Sequence, residues 1–317
     1  MRTDENSGNS VSDALKNNSG RFIRPCPGTP RHVCCGYQII DFARGCDIGC
    51  TYCILSTYFG LDAPAPYGDR DRLFSELDDF LNKHRGLVRF GTGEFTDSLI
   101  FEDRYPFYHR LVPYISRRKN AVLEIKTKTV NIESLLGIEE HDNTIVAWSL
   151  NSRHIAETEE GTAPSVQRRI EAARAVQDAG YRLAFHFDPI ILHEGWEKGY
   201  RETIDLLLDS IDTGNIVYVS MGSLRFPPRM KESIKKLGTG EFIQGADGKL
   251  RYFRPLRTRA YARIKSYLTE AIDERRLYLC MESSTVWEDV FGVSMTSRGL
   301  RKRLDHACLS KFSRLER

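Results

Sequence analysis

Arg44-Gly45-Cys46-Asp47-Ile48-Gly49-Cys50-Thr51-Tyr52-Cys53 directly follows the apolar run 38–42, and its cysteines are spaced C-x3-C-x2-C. Three thiolates within eight residues can converge on one corner of an iron–sulfur cube. A structural zinc site takes four ligands, and this loop offers three. Three-cysteine ligation leaves one iron open, which is what chelation by a substrate or cofactor requires. The competing readings are buried cysteines or half of a zinc site. The spacing, the place after a first strand and the turn residue Gly49 favour a cluster, with Cys46, Cys50 and Cys53 as its ligands.

Outward from this loop, short apolar runs alternate with helical stretches. Strands are expected at 38–42, 88–91, 121–127, 144–150, 182–187 and 215–221. Amphipathic helices are expected at 73–83, 107–116, 166–179 and 199–211, with Gly180 ending one of them just before a strand. The repeated strand–helix order predicts parallel βαβ units, and six such units suit an α/β fold of the partial (β/α)6 TIM-type barrel kind. That barrel is assigned to residues 37–224, with a C-terminal extension over its open face. Residues 1–20, rich in Asn, Ser, Asp and Gly, are expected to form a disordered leader, and 21–36 a Cys/Pro-rich approach segment. A basic covering region is assigned to 225–295 and a basic tail to 296–317. In barrels of this type chemistry gathers where strands end, at the C-terminal face.

Hydrophobic residues make up 41% and charged residues 28% of the 317, as in an ordinary soluble chain long enough to bury a core. No apolar run approaches a membrane span. The first twenty residues lack the basic and apolar regions of a secretory signal, so a cytoplasmic protein with no membrane partner is expected. In a reducing compartment the eight cysteines are better read as metal ligands than as disulfides. Charge is uneven. Between Arg225 and Arg263 eleven Lys/Arg face three Asp/Glu, a local balance of +8 within a whole-chain charge of +3. Either a polyanion-binding face or a solvated basic surface has this composition.

C-x3-C-x2-C with an aromatic before its last cysteine resembles the signature of the radical S-adenosylmethionine (SAM) superfamily. More of the chain resembles one branch of it, the spore photoproduct lyases and their relatives. The carrying segments are Cys-Cys-Gly-Tyr at 34–37, the cluster loop through Leu55, Gly-Thr-Gly-Glu-Phe-Thr-Asp-Ser at 91–98, Lys-Thr-Lys-Thr at 126–129, Trp-Ser-Leu-Asn at 148–151, and Phe-Asp-Pro-Ile followed by His-Glu-Gly-Trp-Glu within 187–197. The resemblance implies a radical SAM partial barrel carrying a [4Fe–4S] cluster. The open iron would chelate SAM, and reductive cleavage would yield a 5′-deoxyadenosyl radical that removes hydrogen from a substrate. It also implies a reductant partner of the flavodoxin or ferredoxin kind. On this reading Tyr52, Gly91, Gly93, Glu94, Lys128, Ser149, Asn151 and Asp188 contact SAM, with Lys128 facing its carboxylate. Tyr52, Glu94, Asp188 and Cys280 are the candidate catalytic residues.

Two departures from the lyase pattern stand out. Its hydrogen-returning cysteine, in the loop after the second strand, is replaced here by the cysteine-free Glu94-Phe95-Thr96-Asp97, and its tyrosine after the last cluster cysteine by Ile54. Tyr52 and Cys280 are the candidates to close the reaction. His186 is either a satisfied core residue or a site residue, and Glu194 and Glu197 either cap a helix or join the site. Cys26, Cys34 and Cys35 are read as structural thiols or as ligands of a second cluster. The segment 249–257 interleaves cations with aromatics, which suits phosphates and an unstacked base, or a hairpin with its aromatics inside and its arginines in water. The leading function is lyase-like repair or modification of DNA. The alternatives are action on a peptide or small metabolite, and a non-catalytic iron–sulfur sensor that binds nucleic acid.

Overall fold

Strand β1 (Ile23–Pro25) pairs antiparallel with β2 (Gln38–Ile40), and from β2 onward every neighbour in the main sheet is parallel. The order runs β1, β2, β3 (Val88–Gly91), β4 (Ala121–Thr127), β5 (Thr144–Ser149), β6 (Arg182–Ile190), β7 (Ile216–Ser223) and finally a strand at Leu277–Leu279. No crossover skips a neighbour, and the sheet curls into a half-barrel. The six expected strands are all present, and the C-terminal extension adds a seventh parallel one. The computed structural model describes residues 15–29, 31–59, 63–234 and 237–316. Most of the expected leader, 1–14, lies outside the described residues; within the rest of it Lys16 bridges Tyr67 and Asn18 is buried.

The strand sequences explain the burial. β4 reads Ala-Val-Leu-Glu-Ile-Lys-Thr and β5 Thr-Ile-Val-Ala-Trp-Ser, rich in β-branched residues that suit a sheet covered on both faces. Helix α1 (Arg70–Lys83) buries Leu73, Leu77 and Leu81, one stripe at four-residue spacing. Tyr108–Ser116 (α2) returns the chain to β4. Helix α3 (Val166–Asp178) starts where the Ser165 hydroxyl accepts the Arg168 N–H at 3.3 Å, and ends before Gly180, whose φ of +96° suits glycine. Trp196–Ser210 (α4) leads into β7.

After β7 the chain makes a small antiparallel sheet from β8 (Arg225–Phe226), β9 (Phe242–Gln244) and β10 (Leu250–Tyr252), with β10 in the middle. Tyr252 is buried while Phe253 is 45% exposed and precedes helix α5 (Arg254–Leu268). Of the three arginines in 249–257, only Arg254 is exposed. Arg251 and Arg257 are buried, paired with Asp247 at 2.5 Å and Glu282 at 3.0 Å. Arg254 pairs with Asp289, and Arg259 and Arg263 with Glu197. The 296–317 segment contains helix Ser297–Leu309, with Leu300, Leu304 and Cys308 buried and Asp305 2.8 Å from the buried Arg89. Among the described residues no helix is long and apolar enough to cross a membrane.

Candidate active site

The cysteine loop is fixed from three sides by backbone bonds. The Gly45 N–H donates to the Phe95 carbonyl (2.9 Å), Thr51 N–H to Glu159 (2.9 Å), and Thr162 N–H to Ile48 (2.8 Å). Gly45 and Gly49 take φ near +80°, which lets the loop turn twice within five residues. Gly161 belongs to the β5–α3 connection and sits so close that an added Cβ would meet the Ile48 carbonyl at 1.9 Å. Tyr52 points inward. Its hydroxyl donates to Glu160, which forms a fully buried ion pair with Arg169 at 2.6 Å.

Cys46, Cys50 and Cys53 line a cavity of about 530 Å³, a size that suits a cofactor or small ligand. Burial pushes the Cys46 thiol up to about 12 and the Cys50 thiol up to about 11, with the Lys128 ammonium pulling Cys50 back. Among the described residues no three Cys, His, Asp or Glu groups stand at metal-coordination spacing. The donor set is what fits a cluster: three free thiols on one eight-residue loop, with no disulfide competing for them.

The cavity opens at the C-terminal ends of β3 to β7, and the structure sorts the expected contacts. Tyr52, Gly93, Glu94, Lys128, Ser149, Asp188 and Cys280 all line it. Gly91 does not: a Cβ there would meet the Tyr37 ring at 2.5 Å, so its smallness serves packing. Asn151 does not either. It is buried beside the cavity, donating to the Pro189 carbonyl at 3.1 Å and accepting from Tyr200. Glu194 lies outside the lining, and Glu197 faces Arg259 and Arg263.

Charged pairs absent from the sequence reading fill the cavity floor. Glu94 accepts from both Tyr37 and Lys126. Burial alone would raise the Glu94 carboxyl, but Lys126 outweighs it and holds the group below its usual range. Asp188 accepts two bonds from the Arg225 guanidinium, each at 3.2 Å, and is lowered in the same way against its burial. His186 is bonded to Ser220 at 2.6 Å and lies 3.4 Å from Glu124, so its ring is held on both sides. The Cys280 thiol lies 3.8 Å from Arg225, and burial, reinforced by the Asp188 carboxylate, keeps its proton on sulfur. Asp97 accepts from Thr127 (2.7 Å) and from the Lys128 N–H (2.6 Å), tying the Glu94–Asp97 loop to β4. A signal for Lys126 existed: Glu124, Lys126 and Lys128 alternate along β4, so they share its inner face.

The profile of the family described as spore photoproduct lyase matches residues 33–237. The spore photoproduct lyase of Clostridium acetobutylicum is 24% identical over 206 residues, 63% of this chain and 60% of that protein. That of Bacillus subtilis is 30% identical over 171 residues, 53% of this chain and 50% of that protein. This chain thus spans half to three fifths of the length of these curated relatives. A solved spore photoproduct lyase complexed with dinucleoside spore photoproduct has the same fold, with a TM-score of 0.70 at 23% identity over 82% of this chain and 79% of that one. The family profile covers well over half of the residues and ends inside the extension that follows the half-barrel: this chain belongs to the spore photoproduct lyase family.

Proposed function

We propose that this chain is a radical SAM lyase acting on a nucleic-acid base or sugar, with Cys46, Cys50 and Cys53 holding a [4Fe–4S] cluster. The observation that carries this reading is the shared cavity, which brings the three thiols together with the Lys128 ammonium at the C-terminal mouth of the barrel. Bound there, cluster and SAM would supply hydrogen-atom abstraction, which no side chain performs unaided. The protein's part is binding and placement. Lys128 offers a cation to a carboxylate, Ser149 a hydroxyl at the end of β5, and Gly93 a backbone with no side chain in the way. Glu94 and Asp188, each held as a carboxylate by its own cation, present fixed acceptors rather than mobile bases. Cys280 keeps its S–H and is the group we assign to return hydrogen to the product. Tyr52, locked to Glu160, positions the cluster loop. A flavodoxin- or ferredoxin-like donor would supply electrons, in a reducing compartment such as the cytoplasm.

Nucleic acid is favoured as substrate because the similar solved lyase is complexed with a dinucleoside photoproduct. The exposed Tyr58 on the cavity rim supplies a surface on which a base can stack. One observation favours the peptide or small-metabolite reading: six of the cations between Arg225 and Arg263 are spent on internal ion pairs. The test is anaerobic turnover with reductant and SAM against UV-irradiated DNA, read by mass spectrometry. New DNA products together with SAM cleavage support the proposal. SAM cleavage with no DNA product moves the substrate to the peptide or metabolite class. No SAM cleavage by iron-loaded protein leaves a sensor.

A further inference from the structure

Two buried carboxylates border Lys128, and each is satisfied without its ammonium. Asp97 accepts the Thr127 hydroxyl at 2.7 Å, the Lys128 N–H at 2.6 Å and the Leu99 N–H at 3.0 Å, so its oxygens are occupied by fixed donors. Glu160 is 1% exposed, accepts from the Tyr52 hydroxyl and pairs with the Arg169 guanidinium at 2.6 Å. Lys128 lies 6.0 Å from the centroid of that same Tyr52 ring, so only the tyrosine hydroxyl separates its neighbourhood from Glu160. Among the described residues no ion pair joins the two.

Nothing local asks for Arg169. It is the fourth residue of α3, whose first turn carries no acid, and a cation near a helix N-terminus opposes the helix dipole. Yet it is fully buried, which an arginine accepts only when paired. Its Nε donates to the Pro164 carbonyl at 2.8 Å and its Nη1 to the Ser149 carbonyl at 3.1 Å, which leaves Nη2 against Glu160. Two backbone anchors thus hold this charge in place. Burial would raise the Glu160 carboxyl, but Lys128, Arg169 and the Tyr52 hydroxyl outweigh it and hold the group below its usual range. Glu160 is therefore an anion that needs a cation. Without Arg169 the cation within reach would be Lys128, a point charge on a flexible four-carbon stem.

We propose that Arg169 is a positioning residue for the cofactor site: by neutralising Glu160 it keeps the Lys128 ammonium from folding onto that carboxylate and leaves it facing the cavity, free for the carboxylate of SAM. The inference rests on the SAM site of the proposed function. Neither Arg169 nor Glu160 lines the cavity, so the effect passes entirely through Lys128.

The experiment measures SAM affinity by equilibrium dialysis on anaerobically iron-loaded protein, with iron content as the check on folding. Arg169→Met should weaken SAM binding about tenfold or more while iron is retained, the size of one charge-assisted contact. Arg169→Met/Glu160→Gln removes both charges and still gives Tyr52 an amide oxygen to bond, so affinity should return to within about twofold of the parent. Lys128→Ala placed on Arg169→Met should weaken binding little further, because Lys128 is already engaged by Glu160; structural damage would give neither the rescue nor this non-additivity. Parental affinity in an iron-loaded Arg169→Met would overturn the proposal. If that variant fails to fold, the double variant decides: folded, iron-loaded protein that has lost SAM binding would show that Arg169 acts by holding Ser149 rather than by shielding Lys128. An iron-loaded parent that binds no SAM would remove the proposed function, and this inference with it.

Discussion

The Lys128 ammonium stands 6.0 Å from the centroid of the Tyr52 ring and, among the described residues, makes no ion pair, whereas Lys126, two residues earlier on the same strand face, is paired with Glu94. One lysine of the pair is therefore spent on structure and the other is available to an anion.

Lys128→Ala should weaken SAM binding on the order of tenfold to a hundredfold, the worth of one charge-assisted contact. Iron content should stay as in the parent. Equilibrium dialysis with labelled SAM and an iron assay read both quantities. Unchanged affinity removes Lys128 from the site.

Cys280→Ala should leave SAM cleavage and metal content intact while product formation falls by at least about tenfold, because the S–H that ends the reaction is gone. Phe95, the cavity residue in the loop where the lyase pattern has its cysteine, has no hydrogen to give easily. Loss of iron in Cys280→Ala would make it a ligand instead and cancel its role as donor.

Gly161→Ala should disturb the cluster loop from outside the cavity. The added carbon would sit 1.9 Å from the Ile48 carbonyl at a backbone φ of +49°, so either the loop or the β5–α3 connection must move. A destabilisation of about 2 kcal/mol or more is expected, with iron incorporation falling alongside. Thermal unfolding and iron content measure the two effects; a variant that keeps both would show the contact to be soft.

Burial would raise Glu124, but His186, Lys126 and the Tyr218 hydroxyl lower it to about 2 from its ordinary 4.5. A depressed carboxylate contributes stability above its unfolded value and loses it as pH falls through its folded one. Glu124→Gln should therefore cost on the order of 3 kcal/mol at pH 7, with the gap to the parent closing between pH 4.5 and about 2. Denaturant midpoints across that window test it. A gap independent of pH would assign the cost to packing.

The half-barrel was legible because its strands are short apolar runs separated by strong helix stops such as Gly180, and local pattern suffices for both. The cluster loop was legible because its three ligands lie within one turn of chain. Partners far along the chain were not. Asn151 reads as a strand-end polar group, and Pro189 and Tyr200, 38 and 49 residues on, make it structural. Arg251 and Arg257 read as surface cations because nothing local says that Asp247 and Glu282 are folded against them. Glu124 and Lys126 carried a period-two signal, but their ion pairs depended on His186 arriving from β6, two strands away, and on Glu94 from the loop after β3.

The bridge between Val33 and Glu282 bears on where this protein can be cut. The segment recognised by the family profile stops at 237, yet Val33 is held by Glu282, Cys34 by Ser297 and Arg89 by Asp305. A gene fragment trimmed to the recognised boundaries would expose the outer edge of β7 and release the chain entering β2. Expression boundaries, and any transplant of this barrel into another protein, therefore have to carry the residues through at least Leu309, the end of the last helix.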